Sequence, residues 1–403
     1  PGIGPGAVEP LDQLLTKGET SKEVYLLRRL QEADHNAEAE LGLHFDLTVP
    51  LARYVVENAG RLLFPFKRYQ IQKVWRGERP QDGRFREFYQ ADVDVIGEST
   101  LAFHHEVELP LVMADALSKL PIPQVIVRAS NRKVAQGFYE AIGISDVAET
   151  LRIVDKLDKI GPQKVAATLA ERVGATDEQA GLALKLAGIT GTDAQVADDV
   201  RALGASSELL DEGLGELVRL LETANALMPG ALVADLKIAR GLDYYTGTVY
   251  ESTMVGHEDL GSVCSGGRYD SLASDGKRTY PGVGLSIGVS RIIARVLPQG
   301  LIEPSRDVPT AVLVAVTDEE HRLASTHIAH QLRSRGIPAE VSPSAQKFGK
   351  QIRFADRRGI PFVWFPESNS VKDIRTGEQI EADPASWSPA EGDLSVTYRK
   401  VTP

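Results

Sequence analysis

Residues 67–97 read KRYQIQKVWRGERPQDGRFREFYQADVDVIG. The stretches 66–75 and 86–96 alternate aromatic or β-branched residues with polar ones, and the polar Gly77–Gly83 between them is rich in glycine and proline. That pattern predicts two strands joined by a long hairpin loop. Arg76, Arg79, Arg84 and Arg86 cluster around the tip, with Glu78 and Glu87 among them. A guanidinium stays charged at any working pH and its planar fork matches phosphate oxygens. The plain alternative is a surface network of ion pairs. Beyond the loop, Phe88, Gln90 and Asp94 are evenly spaced, which puts them on one strand face. An aromatic ring, an amide and an acid together make a binding surface, not a core face.

Outward from this hairpin, three further blocks carry chemistry. ARGLDYYTGTVYE at 239–251 sets Arg240, Asp243, Tyr244 and Tyr245 beside Gly241 and Gly247; a tyrosine-rich core strand is its structural alternative. Gly282, Gly284 and Gly288 are followed by Arg291. Their GxGxxxG spacing matches a dinucleotide loop only loosely, and a flat strand beneath a ligand is the other reading. Phe45-Asp46-Leu47-Thr48 precedes Pro50 and a helical pattern, and alone is an ordinary helix N-terminus. Arginines from three separate elements, an aromatic platform, acids and tyrosines suit the activation of a carboxylate by a nucleotide. Positioned guanidiniums stabilise the charge that crowds at the α-phosphorus.

The chain has 403 residues, enough for two to four domains. Its 42% hydrophobic and 25% charged content is that of a globular protein, not a disordered one. Acids outnumber bases 56 to 45, a net charge of −11, which excludes a uniformly basic nucleic-acid coat but allows a local basic patch. Cys264 is the single cysteine, so no intrachain disulfide or CxxC zinc site exists, and a reducing, cytoplasmic setting is expected. No apolar run approaches about 18 residues, so no membrane span is expected.

The Pro/Gly-rich Pro1–Gly6 is expected to propagate neither helix nor strand. Alanine, leucine and glutamate dominate from about 145 to 228, predicting an all-helical insertion. After a break near 303–305, strand and helix patterns alternate through 308–403, predicting a compact α/β domain with a mostly parallel sheet. This last segment is charge-balanced, yet Lys347, Lys350, Arg353, Arg357 and Arg358 face only Asp356. The expected division is 1–144, 145–228, 229–303 and 308–403.

With these residues in place, the chain resembles histidyl-tRNA synthetases, a family of class II aminoacyl-tRNA synthetases, over nearly all its length. VWRGERPQDGRFREF resembles class II motif 2, and Gly282–Arg291 resembles motif 3. RGLDYYTGTVYE and CSGGRYD resemble the two histidine signatures. The resemblance implies an α+β class II catalytic core with a six-stranded antiparallel sheet flanked by helices, an all-helical insertion and a C-terminal α/β anticodon-binding domain. It implies ATP held by Arg76, Glu78, Arg84, Phe88 and Arg291, with adenine between Phe88 and Arg291. Histidine would be held by Asp46, Leu47, Thr48, Gln90, Asp94, Arg240, Tyr244 and Tyr245. Arg240, Arg76 and Arg291 would be the catalytic residues. Arg79 and Gln81 would approach the acceptor stem of tRNA(His), and Lys347, Lys350 and Arg353 its anticodon side. Mg2+ would ride on ATP with no protein metal site, and the chain would be a homodimer.

Departures from the family pattern accompany these likenesses. Motif 1 is not recognisable beyond Val8-Glu9-Pro10, residues are expected to be missing between Gln31 and Glu40, and His44 stands where many members have arginine. Two rivals remain: a catalytically silent synthetase-like regulatory subunit that senses histidine, and an oxidoreductase built on the glycine block. The first should lack Arg240, Arg76, Arg291 or the C-terminal domain.

Overall fold

The computed structural model describes residues 1–16, 23–29, 39–238 and 244–401. The chain forms two compact units, Pro1–Gln299 and Gly300–Pro403.

The first unit is built on eight strands: β1 (Phe66–Trp75), β2 (Glu87–Ile96), β3 (Val125–Asn131), β4 (Thr190–Gly191), β5 (Leu232–Asp235), β6 (Thr248–Met254), β7 (Cys264–Tyr269) and β8 (Gly282–Gly288). Their spatial order is β1-β2-β8-β7-β6-β3-β5-β4. The first six form one antiparallel run, as the resemblance implied. Two more strands extend it: β5 pairs parallel with β3, and β4 pairs antiparallel with β5. β4 falls inside the stretch read as wholly helical, and at two residues it is too short to leave a period-two signal.

The predicted hairpin is present, with Phe66 opposite Ile96 and Trp75 opposite Glu87. This register also sets Arg68 opposite Asp94 and Gln70 opposite Asp92. β8 lies in the middle of the antiparallel run rather than in a βαβ unit, so the glycine block is not a dinucleotide loop. As expected, Pro1–Gly6 forms neither helix nor strand, but it makes one isolated bridge. Ile3 N donates to Tyr69 O at 3.2 Å and Tyr69 N to Pro1 O at 3.0 Å, so this segment runs alongside the edge strand β1. Proline carbonyls remain good acceptors, which a reading based on the missing N–H overlooks. Val8–Pro10, Leu26–Leu27 and Leu41–Leu43 make a separate three-stranded sheet. The expected gap near Gln31–Glu40 falls mainly on 30–38, outside the described residues.

Helix His104–Ser118 packs against the sheet, and so does Glu208–Leu227, which also lies on Arg132–Ala141. The last helix of the 145–228 stretch is therefore part of the first unit's core. Local chemistry starts these helices: Asp146 and Ser207 cap the helices that follow them, and Thr176 with Gln179 forms a capping box. Glu106, on His104–Ser118, is buried and accepts from Arg268 Nη1 at 2.7 Å and from the Thr248 hydroxyl at 2.6 Å. One buried carboxylate thus ties the helix to β6 and β7.

In the second unit the sheet order is 339–341, 312–314, 362–365, 370–373, 379–381. Two pairings are parallel and two antiparallel, so the sheet is mixed rather than mostly parallel. The connection 366–369 is too short for a parallel crossover, so it turns the chain straight back. Trp364 is fully buried at the centre, packed with Val312, Val314, Ala329 and Leu332. Among the described residues no helix is long and apolar enough to cross a membrane.

Candidate active site

β2 delivers the site because a flat strand presents alternate side chains in a row. A cleft of about 270 Å³ is lined by Arg76, Glu78, Arg84, Phe88, Gln90 and Arg291, with Glu23, Cys264, Ser265 and Ser286 among its other walls. All five residues expected at a nucleotide thus come together. Arg76 Nε donates to the Phe45 carbonyl at 3.0 Å, and its guanidinium lies 5.1 Å from the Phe88 ring centroid. In this structure Arg76 covers Phe88, while Arg291 is anchored elsewhere, donating to Gly83 O at 3.0 Å and Ser262 O at 2.6 Å. Arg84 pairs with Glu78 at 3.1 Å. Cys264 is buried, and burial pushes its thiol up to about 12, so it is no nucleophile.

Behind the cleft, and sharing Ser265 and Ser286 with it, lies a second pocket. Thr48, Asp92, Asp94, Tyr244, Tyr245 and Tyr269 line it. At about 20 Å³ it holds roughly one water, so an amino acid enters only if these side chains part. Asp94 is 3% exposed and pinned from two sides: Arg68 Nη2 lies 2.7 Å from Oδ2, and the Tyr269 hydroxyl donates to Oδ1 at 2.8 Å. Tyr244 and Tyr245 stand with ring centroids 4.2 Å apart. Burial and the neighbouring Tyr244 hold the Tyr245 phenol protonated, hence a donor at neutral pH. Gln90 Nε2 donates to Ser286 Oγ at 2.9 Å.

Not every expected residue reaches the pocket. Asp46 Oδ1 accepts from Val49 N at 3.1 Å, so part of its carboxylate serves the start of helix Thr48–Asn58. Leu47 is fully buried, and its carbonyl accepts from Arg68 at 3.2 Å; only its backbone is placed toward this cluster. Arg240 lies outside the described residues. His44 is buried with Nε2 2.7 Å from the Lys73 carbonyl, a structural contact to β1.

The sequence reading passed over Asp92 and Arg68, and reached Tyr269 only as part of the CSGGRYD signature, with no role of its own. Asp92 carries the same even spacing as Gln90 and Asp94, so its signal was present. Arg68 announced itself only through the register that sets it opposite Asp94. Asp92 is 5% exposed, and burial pushes its carboxyl up to about 7 despite Arg68 at 3.9 Å.

Arg79 and Gln81 are exposed at the hairpin tip, where Gln81 and Arg84 exchange backbone hydrogen bonds. Lys347, Lys350 and Arg353 are exposed on and just before helix Phe348–Arg357 in the second unit. At three-residue spacing they share a face. No group of three potential metal ligands occurs among the described residues.

An antiparallel sheet carrying a motif 2 hairpin and a motif 3 strand-to-helix arginine beside a two-part polar cleft defines a class II aminoacyl-tRNA synthetase. The sequence model of the family described as "Histidyl-tRNA synthetase" matches residues 2–292, and that of "Anticodon binding domain" matches 310–382. A histidine–tRNA ligase of Micrococcus luteus is 57% identical, with 98% of this chain and 90% of that protein covered. One of Cutibacterium acnes is 56% identical, covering 96% and 89%. The crystal structure of histidyl-tRNA synthetase from Nostoc sp. PCC 7120 superposes with a TM-score of 0.82 at 35% identity, covering 94% of this chain and 88% of that one. The chain belongs to the histidyl-tRNA synthetase family.

Proposed function

We propose that the larger cleft binds ATP, the smaller pocket binds L-histidine, and the product is histidyl-tRNA(His). The observation that carries this reading is the shared wall of Ser265 and Ser286. It lets the carboxylate of an amino acid in one cavity abut the α-phosphate of a nucleotide in the other, the in-line geometry of adenylate formation. Arg76 and Arg291, with Arg240, hold the phosphates and the carboxylate. Their fixed charges match the negative charge that builds up at phosphorus, and pyrophosphate leaves. Asp94 accepts from one imidazole nitrogen and the Tyr245 hydroxyl donates to the other. The 3′-terminal ribose hydroxyl of the tRNA then attacks the activated carbonyl and releases AMP.

Glu78 and Glu23 are the acids at the cleft, which suits Mg2+ held mainly by ATP oxygens with one or two carboxylates. Bound there, the ion would neutralise phosphate charge. The segments 1–144 and 229–303, with helix Glu208–Leu227 packed on their sheet, make the core that carries both cavities; the rest of 145–228 is the insertion, and 308–403 the anticodon-binding domain. Arg79 and Gln81 face the acceptor stem, and Lys347, Lys350 and Arg353 the anticodon side. A homodimer in the cytoplasm is part of the same reading; sedimentation measures the first, and the buried free thiol of Cys264 supports the second. Arg76 and Arg291 set in one cleft also argue against a silent regulatory subunit. Histidine-dependent exchange of labelled pyrophosphate into ATP tests the assignment: wild type should show it, and Arg76→Ala or Arg240→Ala should abolish it. Binding of histidine with no exchange would overturn it.

A further inference from the structure

Gln90, Asp92 and Asp94 form a row along one face of β2, running from the larger cleft into the smaller pocket. The middle member has no place in the roles above. Asp92 Oδ1 is buried and has no hydrogen-bond partner in the structure, and neither does Gln90 Oε1. Arg68 does not meet this need. Its Nη2 lies 2.7 Å from Asp94 and 3.2 Å from the Leu47 carbonyl, but 3.9 Å from Asp92, beyond hydrogen-bond reach. Two neighbouring orphan acceptors on a pocket wall call for a ligand group with several N–H donors.

A histidine lying along this row has its carboxylate toward the cleft and its ring toward Asp94, which leaves its α-ammonium beside Asp92. Electrostatics point the same way. The charged and titratable groups facing Asp92 are Arg68 on β1, Asp94 on its own strand, Asp46 before helix Thr48–Asn58, and Tyr269 and Cys264 on β7; Ser286 on β8 is a neutral donor. Among these described groups one cation faces three carboxylates, so a cationic ligand relieves the imbalance.

We propose that Asp92 is a further substrate-binding residue, which accepts from the α-ammonium of histidine and loses its proton to solvent as the amino acid binds. This rests on the smaller pocket being the amino-acid site. Burial in the empty protein keeps Asp92 near half-protonated at neutral pH, and the incoming ammonium stabilises the carboxylate.

Calorimetric titration of the full chain with L-histidine, in buffers of different ionisation enthalpy, reads the proton directly. At pH 7 wild type should release about half a proton more than Asp92→Asn. Relative to that variant, its affinity should improve roughly tenfold from pH 6 to pH 8, because the ionised fraction rises about tenfold over that interval. The α-hydroxy analogue of histidine, which lacks the ammonium, should bind wild type without the extra release; this comparison needs no variant. Equal proton release for histidine and the analogue, or parallel pH profiles for the two proteins, would reduce Asp92 to a buried ion-pair partner and overturn the proposal. If histidine fails to bind at all, the reading of the pocket itself falls, and the proposal with it.

Discussion

The seat of Asp94 can be broken without touching Asp94. Gly284 on β8 pairs with Asp94 across the sheet, and a Cβ added there would stand 1.9 Å from Oδ1 and 2.6 Å from Cγ. Ordinary contact begins near 3.4 Å, so the carboxylate must retreat by about 1.5 Å. It cannot do so and keep its partners, because Arg68 at 2.7 Å and Tyr269 at 2.8 Å hold it from either side. Hydrogen bonds to charged groups contribute about 1.5–3 kcal/mol each. Losing one such contact at Asp94, and with it the contact to the imidazole, is expected to lower kcat/KM for histidine in Gly284→Ala by about 100-fold or more. KM for ATP should change little, since Arg76, Phe88 and Arg84 lie on the other side of the shared wall. Gly60→Ala, where an added Cβ meets nothing within 4 Å, is the control for generic glycine loss. Steady-state pyrophosphate exchange with each substrate varied in turn checks the split. A Gly284→Ala enzyme with wild-type kcat/KM for histidine would refute the idea that Asp94 is rigidly seated to read the ring.

Phe88→Ala removes the ring that Arg76 covers and that would support adenine. KM for ATP should rise by roughly 2- to 30-fold, in line with about 0.5–2 kcal/mol for such a face, while the calorimetric Kd for histidine stays put. Reversing Lys347, Lys350 and Arg353 to glutamate should weaken tRNA binding and flatten its dependence on log salt by roughly 0.7–0.9 per lost phosphate contact. Pyrophosphate exchange without tRNA should be unaffected, as filter binding and exchange on the same protein will show. Cys264, pushed up to about 12 by burial, should resist iodoacetamide at pH 8 and become reactive only on unfolding. Being the single cysteine, it makes whole-protein mass spectrometry sufficient to follow the change.

The hairpin was legible because two period-two stretches flank a turn-forming loop, a local pattern that needs no tertiary knowledge. The arginines that line the larger cleft were legible for the same reason, together with the order of four separated motifs. What escaped detection depends on strand partners far apart in sequence. Arg68 matters only because the hairpin register sets it opposite Asp94, and Tyr269 only because β7 lies two strands from β2. Asp92 was visible by spacing but sits between two residues with more obvious roles. The parallel β3–β5 pairing and the two-residue β4 came from tertiary context, since strands this short carry almost no pattern of their own. The mixed sheet of the second unit could have been anticipated from the short 366–369 turn.

The pocket also shows why selectivity and stability pull in opposite directions at one place. Two buried carboxylates on one strand, with one guanidinium hydrogen-bonded to only one of them, are a poor way to stabilise an empty fold; a hydrophobic pair of the same volume would serve better. Arg68 Nε and Nη1 also lack partners. Under the proposed function, the same pocket discriminates between side chains of similar shape. On the proposed reading, a ligand with no ring N–H and no second ring acceptor forfeits the contacts that histidine would make to Asp94 and to the Tyr245 hydroxyl, a difference of about 1–3 kcal/mol for each. On that reading, buried polarity that weakens the empty protein is retained at this pocket because a polar substrate needs it.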